Sequence, residues 1–264
     1  MTRQTSTGIE SLRAHETRVA LDASLEEVWK AITDAQALSR WFAPKMTVAP
    51  GSGGFVLADW GPGLEWKCLI EVWEPNRHLR LVETRDRLLS ASPVTQPLEP
   101  CRLVEDFYLE TAQGGTVLRL VHSGFGSSAE WDVEYEGTRG GWPGCFLRLK
   151  HGLERHRNES TRNIILTAID HGADRRQTLR RIESAAPRPL ELALRGAYEF
   201  CGVLPEMNGS IVTASAQPSP AGTVAYLELL LFGYNDADAD AVENRLRETL
   251  RREFPAPLPA VTAR

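Results

Sequence analysis

Glu105 and His122 are the residues whose types and spacing first point to chemistry. They flank AQGG at 112–115, a turn signal between two apolar runs. With Gln113 and Gly114 as a two-residue hairpin turn, Leu109 stands opposite Leu118, Phe107 opposite Leu120, and Glu105 opposite His122. Side chains alternate along a strand, so these three pairs share one face. The Leu and Phe members mark it as buried, which aims the carboxylate and the imidazole inward near one end. Such a pair can hold a polar ligand head or act as an acid/base couple, because imidazole titrates near neutral pH. The competing reading is a cross-strand ion pair at a solvated strand end. Register decides between them, since a slip of one residue reverses every side chain.

Other chemistries lack their residues. No GxSxG elbow, Walker loop, HExxH or dinucleotide GxGxxG is present, and Ser123 beside His122 is no triad. SGFG at 123–126 reads as a simple loop into a helix. In HGLERHRN (151–158) the two histidines are five apart, on different sides of a helix, so the run reads as a solvated face rather than a metal site. The acidic stretch at 236–240 lacks the glycine and closing glutamate of a calcium loop and suits a helix N-terminus. Cys68, Cys101, Cys145 and Cys201 have no CxxC spacing and read as reduced thiols. No metal and no cofactor is expected.

Composition narrows the partners. In 264 residues, 30 Lys and Arg against 35 Asp and Glu give a net charge of -5 without a long single-sign run, which argues against nucleic acid. The most apolar stretch, 226–234, is far short of the roughly 20 residues a membrane helix needs. The polar N-terminus has no apolar signal core, so a cytoplasmic protein is expected.

The elements that must position the pair follow from local pattern. Residues 15–21 alternate as a strand. Ser24 with Glu27 forms a capping box ahead of Leu25, Val28, Trp29 and Ile32 at helical spacing. Asp34 caps a second short helix carrying Leu38, Trp41 and Phe42, which Pro44 stops. From 45 to 122 strands alternate with turn signals, and EPNR (74–77) joins 64–73 to 78–83 as a hairpin. The proline-rich segment 84–101 breaks that rhythm and reads as a lid, flap or disordered loop. Ser127 and Glu130 have capping-box spacing. A helix with Trp142, Cys145, Phe146, Leu149 and Leu153 on one stripe follows, with a kink or fresh start expected near 140–143 from Pro143. Beyond about residue 157 a second segment reads strand (164–169), helix (174–185), an ambiguous stretch (190–203), strands (210–216, 223–234) and a helix with Val242, Leu246, Leu250 and Phe254.

The run SLEEVWKAITDAQALSRWFAP, then GSGGF, IEVWEPNRHLRL, GGTVLRLVHSGF, and GGW ahead of Leu147, Leu149 and Lys150, resembles the activator of Hsp-90 ATPase homologue-like branch of the START/Bet v 1-like (SRPBCC) superfamily. The resemblance covers about residues 12–157. It implies an α+β helix-grip: a curved antiparallel sheet, two short helices after its first strand, and a long helix closing a hydrophobic cavity. The separate chaperone-binding domain of the eukaryotic activators is not matched, so chaperone activation is not the implied function. The expected organisation is a helix-grip domain at 1–157 and a smaller α+β domain at 158–264, either ferredoxin-like or a truncated helix-grip.

A helix-grip cavity would draw its wall from Trp41, Phe42, Phe55, Leu57, Trp66, Phe107, Leu120, His122, Phe125, Trp142, Phe146 and Leu149. Ordinary core packing is the competing account of these apolar residues. The expected function is binding of a small hydrophobic or amphipathic molecule, with the second segment serving a homodimer or partner contact. One alternative is a cyclase, dehydratase or hydrolase using Glu105 and His122. The other is a protein-interaction or co-chaperone-like factor with a filled core.

Overall fold

The computed structural model describes residues 12–61, 65–83, 102–172, 174–219 and 221–255. The segment 84–101, with Cys101, lies outside them. Strand β1 (Arg13–Leu21) is followed by α1 (Leu25–Thr33) and α2 (Ala35–Ser39). Then come β2 (Lys45–Ala49), β3 (Phe55–Asp59), β4 (Glu65–Glu74), β5 (His78–Glu83), β6 (Val104–Ala112), β7 (Gly115–Phe125) and α3 (Asp132–Glu154). The seven strands form one curved antiparallel sheet in the order β1-β7-β6-β5-β4-β3-β2. This is a helix-grip: consecutive strands are neighbours, β1 closes on β7, and α1 to α3 cover the concave face.

Local chemistry accounts for the helix starts. The Ser24 Oγ accepts from the Glu27 amide, and the Ser24 amide donates to Glu27 Oε2 at 2.9 Å, so two orphan donors are satisfied reciprocally. Asp34 Oδ1 accepts from the Ala37 amide at 2.9 Å. Helix α2 then ends at Ser39, before Trp41 and Phe42, which were expected within it. At the other end Ser127 caps nothing: a 3-10 turn at Ala129–Trp131, with Ser128 at its N-cap, precedes α3. Helix α3 runs 23 residues with Pro143 inside, so the expected fresh start does not occur. Proline disrupts the bond to residue i−4, here Arg139, and that residue is exposed, where water can take its carbonyl.

The second segment carries β8 (Thr161–Asp170), α4 (Arg175–Ala185), β9 (Glu191–Arg195), β10 (Glu199–Leu204), β11 (Ser210–Ser219), β12 (Gly222–Phe232) and α5 (Asp236–Glu253). Its sheet order is β8-β12-β11-β10-β9. The first strand again pairs with the last, a helix follows the first strand, and a helix follows the last. That is the plan of the first sheet with two strands fewer. A ferredoxin-like arrangement would place its second helix between strands, and β9 to β12 run without an α-helix between them.

Helix α3 lies between the two sheets. Trp142, Phe146 and Leu149 pack into the first core with Phe107, Leu118 and Leu120. On its other side Leu147 packs against Cys201, Ile211, Leu230 and Phe232 of the second sheet. The opposite face of that sheet joins α4 and α5 in a separate core that includes Ile182, Val212, Leu227 and Leu246. The expected solvated face at 151–158 is corrected by this packing. His151 and His156 are both buried, and the His156 ring stacks on Phe232 at 4.1 Å.

Candidate functional site

The register of β6 and β7 places Glu105 opposite His122, Phe107 opposite Leu120 and Leu109 opposite Leu118, with Gln113 and Gly114 between the paired ends. All six residues are buried, on the concave face. Three further strands extend this row. Strand β1 sets His15 opposite His122, and β5 and β4 set Glu83 opposite Cys68 at the same end of the sheet.

His122 Nε2 lies 3.8 Å from Glu105 Oε1, an electrostatic contact rather than a hydrogen bond. Helix α3 covers the row. Trp142 Nε1 donates to His122 Nδ1 at 3.3 Å, which fixes the neutral His122 as the tautomer carrying its proton on Nε2. His15 Nε2 lies 3.0 Å from Thr138 Oγ1, and that hydroxyl donates to the Glu134 carbonyl, so His15 supplies the proton at Nε2. Its Nδ1 is then a buried acceptor without a partner, and Glu105 Oε2 is likewise buried and unpartnered. Burial, reinforced by the Glu83 charge, pushes the Glu105 carboxyl well above its ordinary range. Burial, with the nearby Arg139 charge, lowers His15 to about 4. Burial therefore favours the protonated form of the Glu105 carboxyl and the neutral form of the His15 imidazole, one able to donate a proton and the other to accept one.

The apolar residues expected around this pair divide into groups. Phe107, Leu120, Trp142, Phe146 and Leu149 pack together in the first core. Trp142 stacks on Phe42 at 5.6 Å and meets Phe107 edge-on at 5.7 Å. Trp66 is half-buried against the same core. Phe125 packs with Leu103 and Trp131 in a separate cluster, its ring 4.6 Å from His122. Trp41 is buried, its indole donating to the Ala31 carbonyl at 2.9 Å.

Phe55 and Leu57 do not belong to the concave wall. They pair with Leu69 and Lys67 on the convex face, where the Lys67 ammonium lies over the Phe55 ring, and the buried residues of β3 are Val56 and Ala58. The strand is apolar on both faces, so composition could not tell its inside from its outside. His15 was missed for a different reason. Its alternation was readable, but its neighbour His122 is set by a strand pairing across a hundred residues of chain.

Cavities lined by described residues include the following pair. One of about 520 Å³ lies between α1, α2 and the end of α3, with Trp41 and Leu149 in its wall. The other, of about 380 Å³, lies between α3 and the second sheet and touches Phe42. Neither is lined by Glu105 or His122. No group of three or more His, Cys, Asp or Glu among the described residues is placed to hold a metal ion. No helix among them is long and apolar enough to cross a membrane.

The family model described as activator of Hsp90 ATPase homolog 1-like protein matches residues 22–154. The chain belongs to this family. No curated protein matches it. Among solved structures, this family member is similar to MLL2253 from Mesorhizobium loti, at 28% identity over 54% of this chain and 98% of that one, with a TM-score of 0.45. It is similar to the Aha1 dimer from Colwellia psychrerythraea, at 20% identity over 54% and 97%, with a TM-score of 0.46. DynU16, described as a putative protein in the dynemicin biosynthetic locus, aligns over 92% of this chain and 96% of its own at 16% identity and a TM-score of 0.44.

Proposed function

We propose that this AHSA1-like protein binds a small amphipathic molecule at the polar end of the concave face, its polar group meeting Glu105 and His15 on either side of His122. One observation carries the reading. Glu105 Oε2 and His15 Nδ1 are buried on that face without hydrogen-bond partners. Leaving such a group unsatisfied costs about 1–3 kcal/mol, which a ligand hydroxyl or carbonyl would recover. The apolar body of the ligand would lie toward Phe107, Leu120 and Trp142. Residues 1–157 form the binding unit in this reading, 158–264 a second unit, and the unpaired thiols of Cys68, Cys145 and Cys201 suit the cytoplasm.

A second reading is acid/base catalysis on the bound molecule. The observation favouring it is that the same buried row holds the Glu105 carboxyl, whose pKa burial raises, and the unpartnered His15 Nδ1, an acid and a base suited to a cyclisation or dehydration step.

Native mass spectrometry of freshly purified protein tests the binding claim. An adduct of a few hundred daltons, lost in Glu105→Leu, is the expected result. An adduct retained in that variant, or bare protein together with no saturable binding of an added amphipathic dye, would overturn it.

A further inference from the structure

The cavity between α3 and the second sheet has features of a built site, separate from the Glu105–His122 row. Its α3 wall is partly backbone: a Cβ added at Gly137 or Gly141 would meet no atom within 4 Å, so the helix leaves open space there. Gly140 is different. A Cβ at this position would come within 2.5 Å of Glu199 Oε1, and one at Gly196 within 1.8 Å, so two glycines make room for a carboxyl on the cavity wall. Phe42 and Trp60, whose rings meet edge-on at 5.3 Å, supply an aromatic wall from the first half of the chain.

Two charged side chains in the lining are almost wholly buried. Arg148 Nη2 and Glu228 Oε1 approach to 2.7 Å, with side-chain exposures of 3% and 5%. Arg148 also donates to Asn163 Oδ1 at 3.1 Å, and the Tyr226 hydroxyl donates to Glu228 Oε2 at 2.9 Å. Arg148 Nε nevertheless makes no hydrogen bond. The pair neutralises its own charge and leaves one donor, the Arg148 Nε–H, unsatisfied. A charged ligand gains little from such a wall, because desolvating its charge is costly and no net countercharge receives it. A hydroxyl oxygen, uncharged and able to accept a hydrogen bond, matches that donor.

We infer that this cavity is a second small-molecule site, shaped for an uncharged hydroxylated aromatic compound whose ring rests between the glycine face of α3 and the Phe42–Trp60 wall. A volume of about 380 Å³ lies in the range of small-molecule sites. Because its walls come from both halves of the chain, its ligand would be held only by the whole molecule.

Calorimetric titration of the full chain with 1-naphthol tests this. Gly141→Leu projects a side chain into the open space while favouring helix, so folding is kept. This variant is expected to weaken the site at least tenfold, and Trp60→Ala several-fold, whereas Glu105→Leu leaves it unchanged. 1-Naphthoate, charged where 1-naphthol is not, should bind there at least tenfold more weakly. The inference is overturned if Gly141→Leu and Trp60→Ala both bind 1-naphthol as the natural chain does. It is equally overturned if all 1-naphthol binding is lost in Glu105→Leu, or if none occurs.

Discussion

Glu105 is held as an acid by its surroundings, and this has a measurable sign. Its native pKa is raised, so above its ordinary range the unfolded chain gives up a proton that the native chain keeps. The stability it contributes is full below about pH 4.5 and is lost as pH rises toward the native pKa. Glu105→Gln, which mimics the protonated carboxyl, is therefore expected to be more stable than the natural chain at pH 8, with the difference vanishing near pH 4. Urea denaturation at the two pH values reads this directly. His15 carries the opposite dependence. Its native pKa of about 4 lies below the ordinary 6.5, so the unfolded chain takes up the proton first as pH falls. Its contribution is full above pH 6.5 and is lost as pH falls from 6.5 toward 4. His15→Gln should flatten the acid limb of the stability profile over that window. The inward pair Glu105–His122 was legible from a hairpin turn and a parity of two. The partnership of His15 was not, because nothing local in the sequence sets β1 against β7.

At the scale of elements, caps and tight approaches decide most. Ser24→Ala removes one half of a capping box and should lower stability by about 1 kcal/mol in chemical denaturation. Gly124 stands in β7 with φ of +95°, and a Cβ there would lie 1.9 Å from the Arg102 carbonyl oxygen. Gly124→Ala is expected to cost more than the cap does, by forcing β7 away from the segment that leads into β6. Helix starts at Ser24 and Asp34 were readable because a cap is a contact between residues three apart. The interior proline of α3 does not restart the helix, since a rule about isolated helices does not register two sheets packed against opposite sides of one. In β3 the larger residues Phe55 and Leu57 point outward and the smaller Val56 and Ala58 inward, the reverse of what side-chain size suggests.

At the scale of the molecule, one helix serves both sheets. Arg148 and Glu228 join α3 to β12 in a setting where neither can be solvated. Glu228→Gln would leave a buried guanidinium without its countercharge and is expected to cost about 3–5 kcal/mol, whereas the double replacement Arg148→Met with Glu228→Leu recovers most of that loss. Thermal unfolding of the three proteins checks the order. The family and the helix-grip of the first half were legible in the order of their motifs. The second sheet was read as elements without an order, because β8 meets β12 only after sixty residues and no local signal records that pairing.

The central claim is that the buried polar row meets a ligand. Titration with 8-anilinonaphthalene-1-sulfonate, followed by dye fluorescence and tryptophan quenching, measures it most directly. The account predicts saturable binding at one site involving Glu105, with affinity reduced at least tenfold in Glu105→Leu and quenching of Trp142, whose indole is bonded to His122. Equal affinity in the natural chain and Glu105→Leu, or no saturable binding to either, would contradict it.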